Sequence, residues 1–577
     1  MKKKLPYGLT DYVLLMTDDY YFVDKTKFIE LLENTGSFLF LHRPRRFGKS
    51  LFLSMLHCYY GITYADRFEE LFGDKYIGKH PTAEQGKYLV LSFNFSAVHG
   101  TGQGLEENFN SYAKRNIEAF AIHYSSFFEP GFLQEVRELK NVTDQLHYIG
   151  SRAKLQGLSI YLLIDEFDHF VNTKLSNNAH SDQIQELDFF NDFFNTIKSF
   201  TTGTHAPVKR IFITGVSPAI LNDVTNTFNI GTDITSSSRF NEALGFSESE
   251  LITMLSYYKS EGALHDRVED LVQIMKPWYN NYCFAEGSIG MTVYNPNMVL
   301  YFLNHYLRSK KQPEEMADPN NKTGYNKLQY FINMDKMHEE SLSVFTQLIN
   351  SGEVNGNEIK MNSTAIKKII SGNFVSILYY LGLLSYSRKK YGETLLKTPN
   401  LSARNQIYTY QVEAMKEQDL ISFSFMELSD RIRRMAYFGE WRAALDFFSS
   451  LVEKKDALSY TIAHEPTIKA LMIACLGLTD YYTIWPKFDA RDDFSDLYLM
   501  PNLANYADIQ YSYLIRLQFL QPDDTTTNVD SLMQEAESQI RQYTSNEKVL
   551  ANNGNTSLRM LTAVYKGWQP VTLHEFK

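Results

Sequence analysis

Apolar positions change their spacing several times before residue 245. Leu39, Phe40 and Leu41 form an apolar run ending at His42, and Leu51, Phe52, Met55, Leu56 and Tyr59 then recur at helical spacing. A buried strand that passes through a compact turn into an amphipathic helix is the expected reading. Lys27 to Glu33 predicts a short helix stopped by Asn34-Thr35-Gly36. Lys87 to Val98 predicts a second strand, and Leu105 through Ala153 a long helical region broken near Glu129-Pro130-Gly131. Ser159 to Ile164 predicts a third strand, Gln183 to Phe200 a polar helical crossover, and Val208 to Thr214 a fourth β-leaning run. Strands alternating with helices predict an α/β domain with a parallel sheet.

Beyond Gly245 the pattern turns helical. Ser247 ahead of Glu248 and Glu250 marks a helix start. Phe374 to Tyr386, followed by Leu395 to Asn400, reads as a helix leading into a short hairpin, a winged-helix-like element. Leu428, Ile432, Met435, Phe438 and Trp441 give a periodic stretch inside a helical linker from Gln411 to Lys455. His464 to Leu478 reads as an apolar helix, and Tyr481 to Trp485, Phe494 to Pro501 and Tyr511 to Leu520 as strands. Met533 to Tyr543 closes as a helix and Leu561 to Tyr565 as a strand. The expected division is a sheet domain at 1–244, a helical lid at 245–410, the linker at 411–455 and an α/β domain at 456–577.

A chain of 577 residues with 44% hydrophobic and 14% aromatic side chains supports several packed cores rather than disorder. The net charge of −10 argues against nucleic acid as a bulk electrostatic partner. No run approaches the ~18 apolar residues that cross a bilayer, and the basic start at Lys2-Lys3-Lys4 leads into no apolar stretch. Cys58, Cys283 and Cys475 lie too far apart for zinc-ligand spacing. A reduced, cytoplasmic setting with no membrane is the expectation.

The candidate chemistry sits between the first strand and its helix. Arg43-Pro44-Arg45-Arg46-Phe47-Gly48-Lys49-Ser50-Leu51 places Gly-Lys-Ser where unpaired N–H groups at a helix start can cradle phosphate. Gly48 permits close approach, Lys49 reaches the β- and γ-phosphates, and the Ser50 hydroxyl is a Mg²⁺ ligand. Arg45, Arg46, Phe47 and Leu51 complete the candidate cradle. Arg43 stands where the motif's first glycine is expected. Asp165-Glu166 follows the third strand. An acidic pair at such a tip supports Mg²⁺ through Asp165 and orients water through Glu166.

These residues resemble the bacterial AAA-ATPase-like family. Tyr21-Phe22-Val23-Asp24-Lys25-Thr26, the loop with its arginine at position 43, and Ile164-Asp165-Glu166-Phe167-Asp168 carry the resemblance. Thr214-Gly215-Val216-Ser217, Gly245-Phe246-Ser247, Trp278-Tyr279 and Tyr294-Asn295-Pro296 extend it. The resemblance implies ATP and Mg²⁺ as cofactors, a sensor-like role for Thr214, and a C-terminal restriction-endonuclease-like (PD-(D/E)XK) domain. Arg239 is the nearest candidate for an arginine finger.

Nucleases of that kind need an aspartate on one strand and Glu-x-Lys on the next. Asp496 matches the aspartate, but Arg516 and Gln518 stand in the other two positions, and Glu465 alone rebuilds nothing. The expected function is therefore Mg-dependent ATP hydrolysis coupled to lid movement, with a degenerate nuclease-like domain that recognises a protein or nucleic-acid partner. A nucleotide-gated switch with little turnover needs the same groups. An ATP-assisted nuclease is disfavoured by Arg516 and Gln518. Oligomeric state is not legible.

Overall fold

A strand that is apolar on both faces is stable only inside a sheet covered on both sides, as parallel sheets are. β1 (Phe38–His42), β2 (Leu89–Asn94), β3 (Ile160–Asp165) and β4 (Val208–Gly215) meet that condition, and β3 is buried at every position. The computed structural model describes residues 2–100, 103–169, 188–203, 205–216, 231–318, 338–356, 359, 374–417, 420–451, 465–485, 496–503, 505–520, 529–542, 547–566 and 569–576. The chain forms two compact units, Met1–Met334 with Asn355–Ser402, and Asp335–Val354 with Ala403–Lys577.

In the first unit the strands lie in the order β2-β3-β4-β1-β5, with β5 the short Thr232–Asp233, and all pair in parallel. Every C-terminal tip therefore faces the same edge. On one face the helix Lys49–Tyr60 buries Phe52, Met55 and Leu56 among Leu39, Leu41, Leu163 and Phe212. Leu56 is fully buried, so truncating it to alanine costs about 2–5 kcal/mol. On the other face Phe93 and Phe95 meet Phe109, Phe190 and Phe193 in mostly edge-on contacts.

Local chemistry moves two boundaries from their predicted places. β2 ends at Asn94, not Val98, because the Asn94 side chain accepts from Ser96 N at 3.0 Å and turns the chain into the 3₁₀ turn Phe95–Ala97. The helical region breaks twice, giving Gln103–His123, Phe132–Glu138 and Val142–Leu155. The second break lies at Asn141, which caps the last of these helices by accepting from Asp144 N at 2.7 Å.

The helices Glu248–Ser260, Val268–Tyr279 and Pro296–Ser309 share a separate core built on Leu251, Leu255, Met275 and Phe302. Ser247 and Glu250 form a reciprocal capping box at the first of them. The helix predicted through Tyr386 is shorter, Phe374–Tyr380. Gly382, at φ 81°, turns the chain into the hairpin Ser385–Lys390 and Glu393–Lys397.

The second unit holds another five-stranded sheet, ordered Gln569–Phe576, Ser557–Lys566, Tyr511–Leu520, Asp496–Pro501, Tyr482–Trp485. Tyr511–Leu520 and Ser557–Lys566 run parallel, joined through the helix Val529–Gln542, and the other neighbours are antiparallel. The last strand has no counterpart in the sequence reading. Within the stretch read as a linker, residues 411–417 close the helix Leu401–Glu417, and two further helices, Phe425–Phe438 and Trp441–Ser450, pack on this sheet. Tyr513 Oη donates to Met435 O at 2.7 Å, and Trp441 Nε1 to Glu575 Oε2 at 2.8 Å. Leu428, Ile432 and Met435 are the buried stripe that makes them part of the unit.

His57, on the helix after β1, has Nδ1 3.3 Å from Ser92 Oγ. Burial, helped by nearby His123, pulls its pKa from 6.5 to about 4. The unfolded chain takes the proton first, so this stability is complete above the unfolded pKa and is lost as pH falls towards the folded one. The full term is on the order of 3 kcal/mol. Denaturant titrations at pH 7 and pH 4.5 should show a loss that His57→Gln reduces by about 2 kcal/mol. An undiminished loss in the variant would clear His57 of any part in acid sensitivity.

Candidate active site at the sheet edge

The loop after β1 needs two residues in the left-handed backbone region, and Arg46 (φ 67°) and Gly48 (φ 92°) occupy it. A Cβ at Gly48 would meet nothing within 4 Å. Its requirement is thus conformational, plus room for whatever approaches the helix start. Phe47 anchors the loop, buried edge-on against Tyr282 and Phe284 with centroids 4.9 and 5.3 Å away. Arg45 is half-buried and Arg46 exposed.

Lys49, only 5% exposed, donates from Nζ to Arg43 O at 3.2 Å and Pro44 O at 3.3 Å, and lies 3.6 Å from Glu166 Oε1. Ser50 Oγ donates to Asp165 Oδ2 at 2.5 Å. The structure thus brings Lys49 to Glu166 and Ser50 to Asp165. Asn94, the register partner of Asp165 on β2, donates from Nδ2 to the same carboxylate oxygen at 3.4 Å.

Glu166 sits at φ 51°, an uncommon conformation for a residue with a long side chain. Asp165 Oδ1 accepts from Glu166 N at 2.9 Å and Glu166 O accepts from His169 N at 3.0 Å, which hold the kink. Such strain is a feature of functional positions. Here it turns the Glu166 carboxylate towards Lys49.

Thr214 is not brought to this cluster. It is fully buried, and its hydroxyl donates to Leu41 O at 2.8 Å, tying β4 to β1. Gly215 is required by close approach, since a Cβ there would lie 2.6 Å from Asp168 Oδ1 and 2.8 Å from the Phe167 ring. Asp168 in turn accepts from Val216 N at 3.1 Å. Ser217 lies outside the described residues. Arg239 is exposed in the turn Ser238–Phe240 and lines a second cavity with Lys27, Glu30 and Tyr76, away from Lys49.

The cleft around Lys49 has a volume of about 520 Å³, in the range that encloses a small-molecule ligand. Its lining takes in Arg45 to Leu51 with Asn94 and Glu166, and also the apolar side chains Leu9, Tyr21, Phe22, Leu244, Phe246 and Leu300. The apolar ones were missed as site residues. Tyr21-Phe22-Val23, Gly245-Phe246 and Pro296 were singled out as motifs, but dense aromatics read first as core.

Among the described residues no three His, Cys, Asp or Glu side chains gather as a metal cage. Mg²⁺ rarely has one; it is held by one or two carboxylates with substrate phosphates and water. Burial raises the Asp165 pKa, while Lys49 and the Ser50 hydroxyl pull it down. A buried carboxylate not fully offset by its neighbours, beside a hydroxyl, fits a hard divalent cation. The cluster can therefore hold phosphate at Lys49 and the helix start, a cation at Ser50 and Asp165, and a water at Glu166.

A family model described as "AAA-ATPase-like: Predicted AAA-ATPase" matches residues 6–225. That span contains the loop and both carboxylates. An uncharacterized protein in the vnfD 5′ region of Azotobacter chroococcum mcd 1 is 27% identical over 317 residues, 53% of this chain and 53% of the relative. The chain thus spans about half the length of that relative. Among solved structures, the Walker-type ATPase PABY2304 of Pyrococcus abyssi aligns at TM-score 0.37 and 12% identity, over 70% of this chain and 99% of that one. The ORC1 protein of Aeropyrum pernix, solved in complex with DNA, aligns at 0.28 and 10%, over 69% and 96%.

Binding at this cleft has a direct readout. Mg-ATP should raise the melting temperature of the wild type, because a ligand of the native state alone stabilises it. Lys49→Ala should abolish most of that shift. Equal shifts in the two proteins would remove phosphate from the assignment.

Proposed function

We propose that the first unit binds Mg-ATP in the Lys49 cleft and hydrolyses it, with turnover coupled to lid movement and to partner recognition by the C-terminal domain. The observation that carries this reading is the meeting of four groups from two separate strand ends. Lys49 Nζ lies 3.6 Å from Glu166 Oε1, and Ser50 Oγ 2.5 Å from Asp165 Oδ2.

In this reading the backbone N–H groups from Gly48 to Leu51 and the Lys49 ammonium take the β- and γ-phosphates. Ser50 and Asp165 hold the cation, whose bound charge offsets that of the phosphate oxygens. Glu166 accepts a proton from, or orients, the water that attacks the γ-phosphate. Thr214, with its hydroxyl committed to Leu41 O, acts on the phosphates only by exchanging that bond, so its sensor-like role is the weakest part of the assignment. The apolar lining receives the flat base. A reduced, cytoplasmic setting agrees with three buried, unpaired cysteines.

Glu166→Gln should separate binding from turnover. The variant keeps the thermal shift with Mg-ATP but hydrolyses ~10²–10⁴-fold more slowly, the usual worth of a positioned base. Turnover at the wild-type rate would make Glu166 a structural residue.

For the second unit we propose a nuclease-like fold without nuclease chemistry. Its order of helix Glu465–Gly477, three antiparallel strands, helix Val529–Gln542 and parallel strand Ser557–Lys566 agrees with that resemblance. Asp496 and Arg516 are register partners on adjacent strands, and Arg516 is 4% exposed. A guanidinium is always charged in proteins, and it stands where a metal ligand is required. Purified protein incubated with Mg²⁺ or Mn²⁺, ATP, and linear or supercoiled DNA should leave both DNAs intact. Cleavage that disappears in Asp496→Ala would overturn this and restore the nuclease.

A further inference from the structure

Position 43, where a phosphate loop of this type ordinarily opens with glycine, holds the largest fully buried side chain in the described protein. Arg43 Nη1 donates to His42 O at 2.8 Å and Thr235 O at 2.9 Å, and Nη2 donates to Phe240 O at 2.8 Å. The guanidinium carbon lies 4.2 Å from the centroid of the Phe284 ring. Each hydrogen-bond partner is a backbone carbonyl. Burial pulls the Arg43 pKa down to about 10, so the group remains a cation at neutral pH.

A cation is a costly way to fill space. What it does here is extend a joint that His42 begins: His42 N donates to Thr235 Oγ1 at 2.9 Å at the end of β1, and the Arg43 side chain carries the attachment on to Phe240. The backbone of Arg43 belongs to the phosphate loop, because its N–H donates to Gly215 O at 3.2 Å on β4 and its carbonyl accepts Lys49 Nζ. Its side chain grips the turn after β5 at residues 235 and 240. That turn runs on through Ala243, Leu244, Gly245 and Phe246, which line the same cleft as Lys49. One side chain therefore ties the phosphate loop to a second segment of the cleft's lining. The backbone freedom that glycine would bring is not needed at this position, since the positive-φ residues of the loop are Arg46 and Gly48.

We propose that Arg43 is a positioning residue for nucleotide: its planar fork holds the phosphate loop and Lys49 at a fixed offset from the 235–246 segment, in place of the turn glycine. The proposal rests on the reading of the cleft as a Mg-ATP site. A lysine keeps the charge but cannot span three carbonyls with a point charge. A glycine completes the familiar loop pattern but removes the staple.

The test compares affinities for Mg-ATP and for adenosine, the latter by competition against a fluorescent ATP analogue, with melting temperature without nucleotide as the folding control. Arg43→Lys should fold with a lowered melting temperature, since carbonyls are left unpaired, bind Mg-ATP at least tenfold more weakly and bind adenosine unchanged. Arg43→Gly should be no better, although it supplies the motif's glycine. If neither variant folds, Arg43→Met, which fills the space without hydrogen bonds, decides by the same comparison.

Wild-type affinity for Mg-ATP in any folded variant overturns the proposal. So does an equal weakening of Mg-ATP and adenosine, which marks general loosening rather than loss of phosphate geometry. Lys49→Ala separates this failure from failure of the site itself. Equal Mg-ATP binding by wild type and Lys49→Ala removes the phosphate site and the role of Arg43 with it. Binding lost in Lys49→Ala but kept in Arg43→Lys removes Arg43 alone.

Discussion

The candidate site depends on a loop that must cross an intervening strand. β4 lies between β1 and β3, and neighbouring strands are about 4.8 Å apart. Groups on the β1 loop and the β3 tip meet only if the loop folds over the end of β4. Thr214 turns its hydroxyl back into the sheet onto Leu41 O, and Gly215 leaves room for Asp168 Oδ1 and the Phe167 ring. The Arg43 N–H then fastens to Gly215 O. The 2.5 Å contact of Ser50 with Asp165 is the result. Gly215 is in this sense a clearance, and the Thr214 hydroxyl is spent on the sheet.

The parts legible in the sequence are those written in one short segment. Strand, turn, Gly-Lys-Ser and helix follow within about a dozen residues, and the acidic pair directly follows an apolar run. Strand order is written nowhere locally, so the place of β4 between β1 and β3 became visible only in the structure. The apolar lining of the cleft draws on Leu9, Tyr21, Leu244 and Leu300. Each of these alone is indistinguishable from core. Arg43 was visible as a departure from pattern, but its partners at residues 235 and 240 lie about two hundred positions away. Asn94 and Asn141 reset element ends through side-chain bonds to nearby N–H groups, a competition that hydrophobic spacing does not register.

In the second unit, the stretch between residues 411 and 455 shows the same limit from the other side. Its period of apolar residues was correctly helical, but the period does not say against what a helix packs. The sheet supplies the answer through buried Tyr513, whose hydroxyl donates to Met435 O, and through Glu575, which accepts from Trp441 Nε1. The register of Asp496 against Arg516 is likewise a fact of strand pairing. It turns a sequence mismatch into a spatial one.

The lid is constrained by a second buried cation. Lys25 Nζ contacts Glu250 Oε2 at 2.7 Å and Glu242 O at 3.0 Å, and Glu250 also closes the capping box of helix Glu248–Ser260. Burial lowers the lysine's pKa while Glu250 raises it. Such a pair adds little net stability as a whole, yet removing one partner costs about 3–5 kcal/mol because a charge is left buried alone. A lid motion of the kind proposed must therefore either carry the Tyr21–Lys25 segment with it or hydrate both charges together. The first route is the cheaper, since Tyr21 already packs on Tyr257 and Tyr258 of the same helix at 5.1 and 5.7 Å.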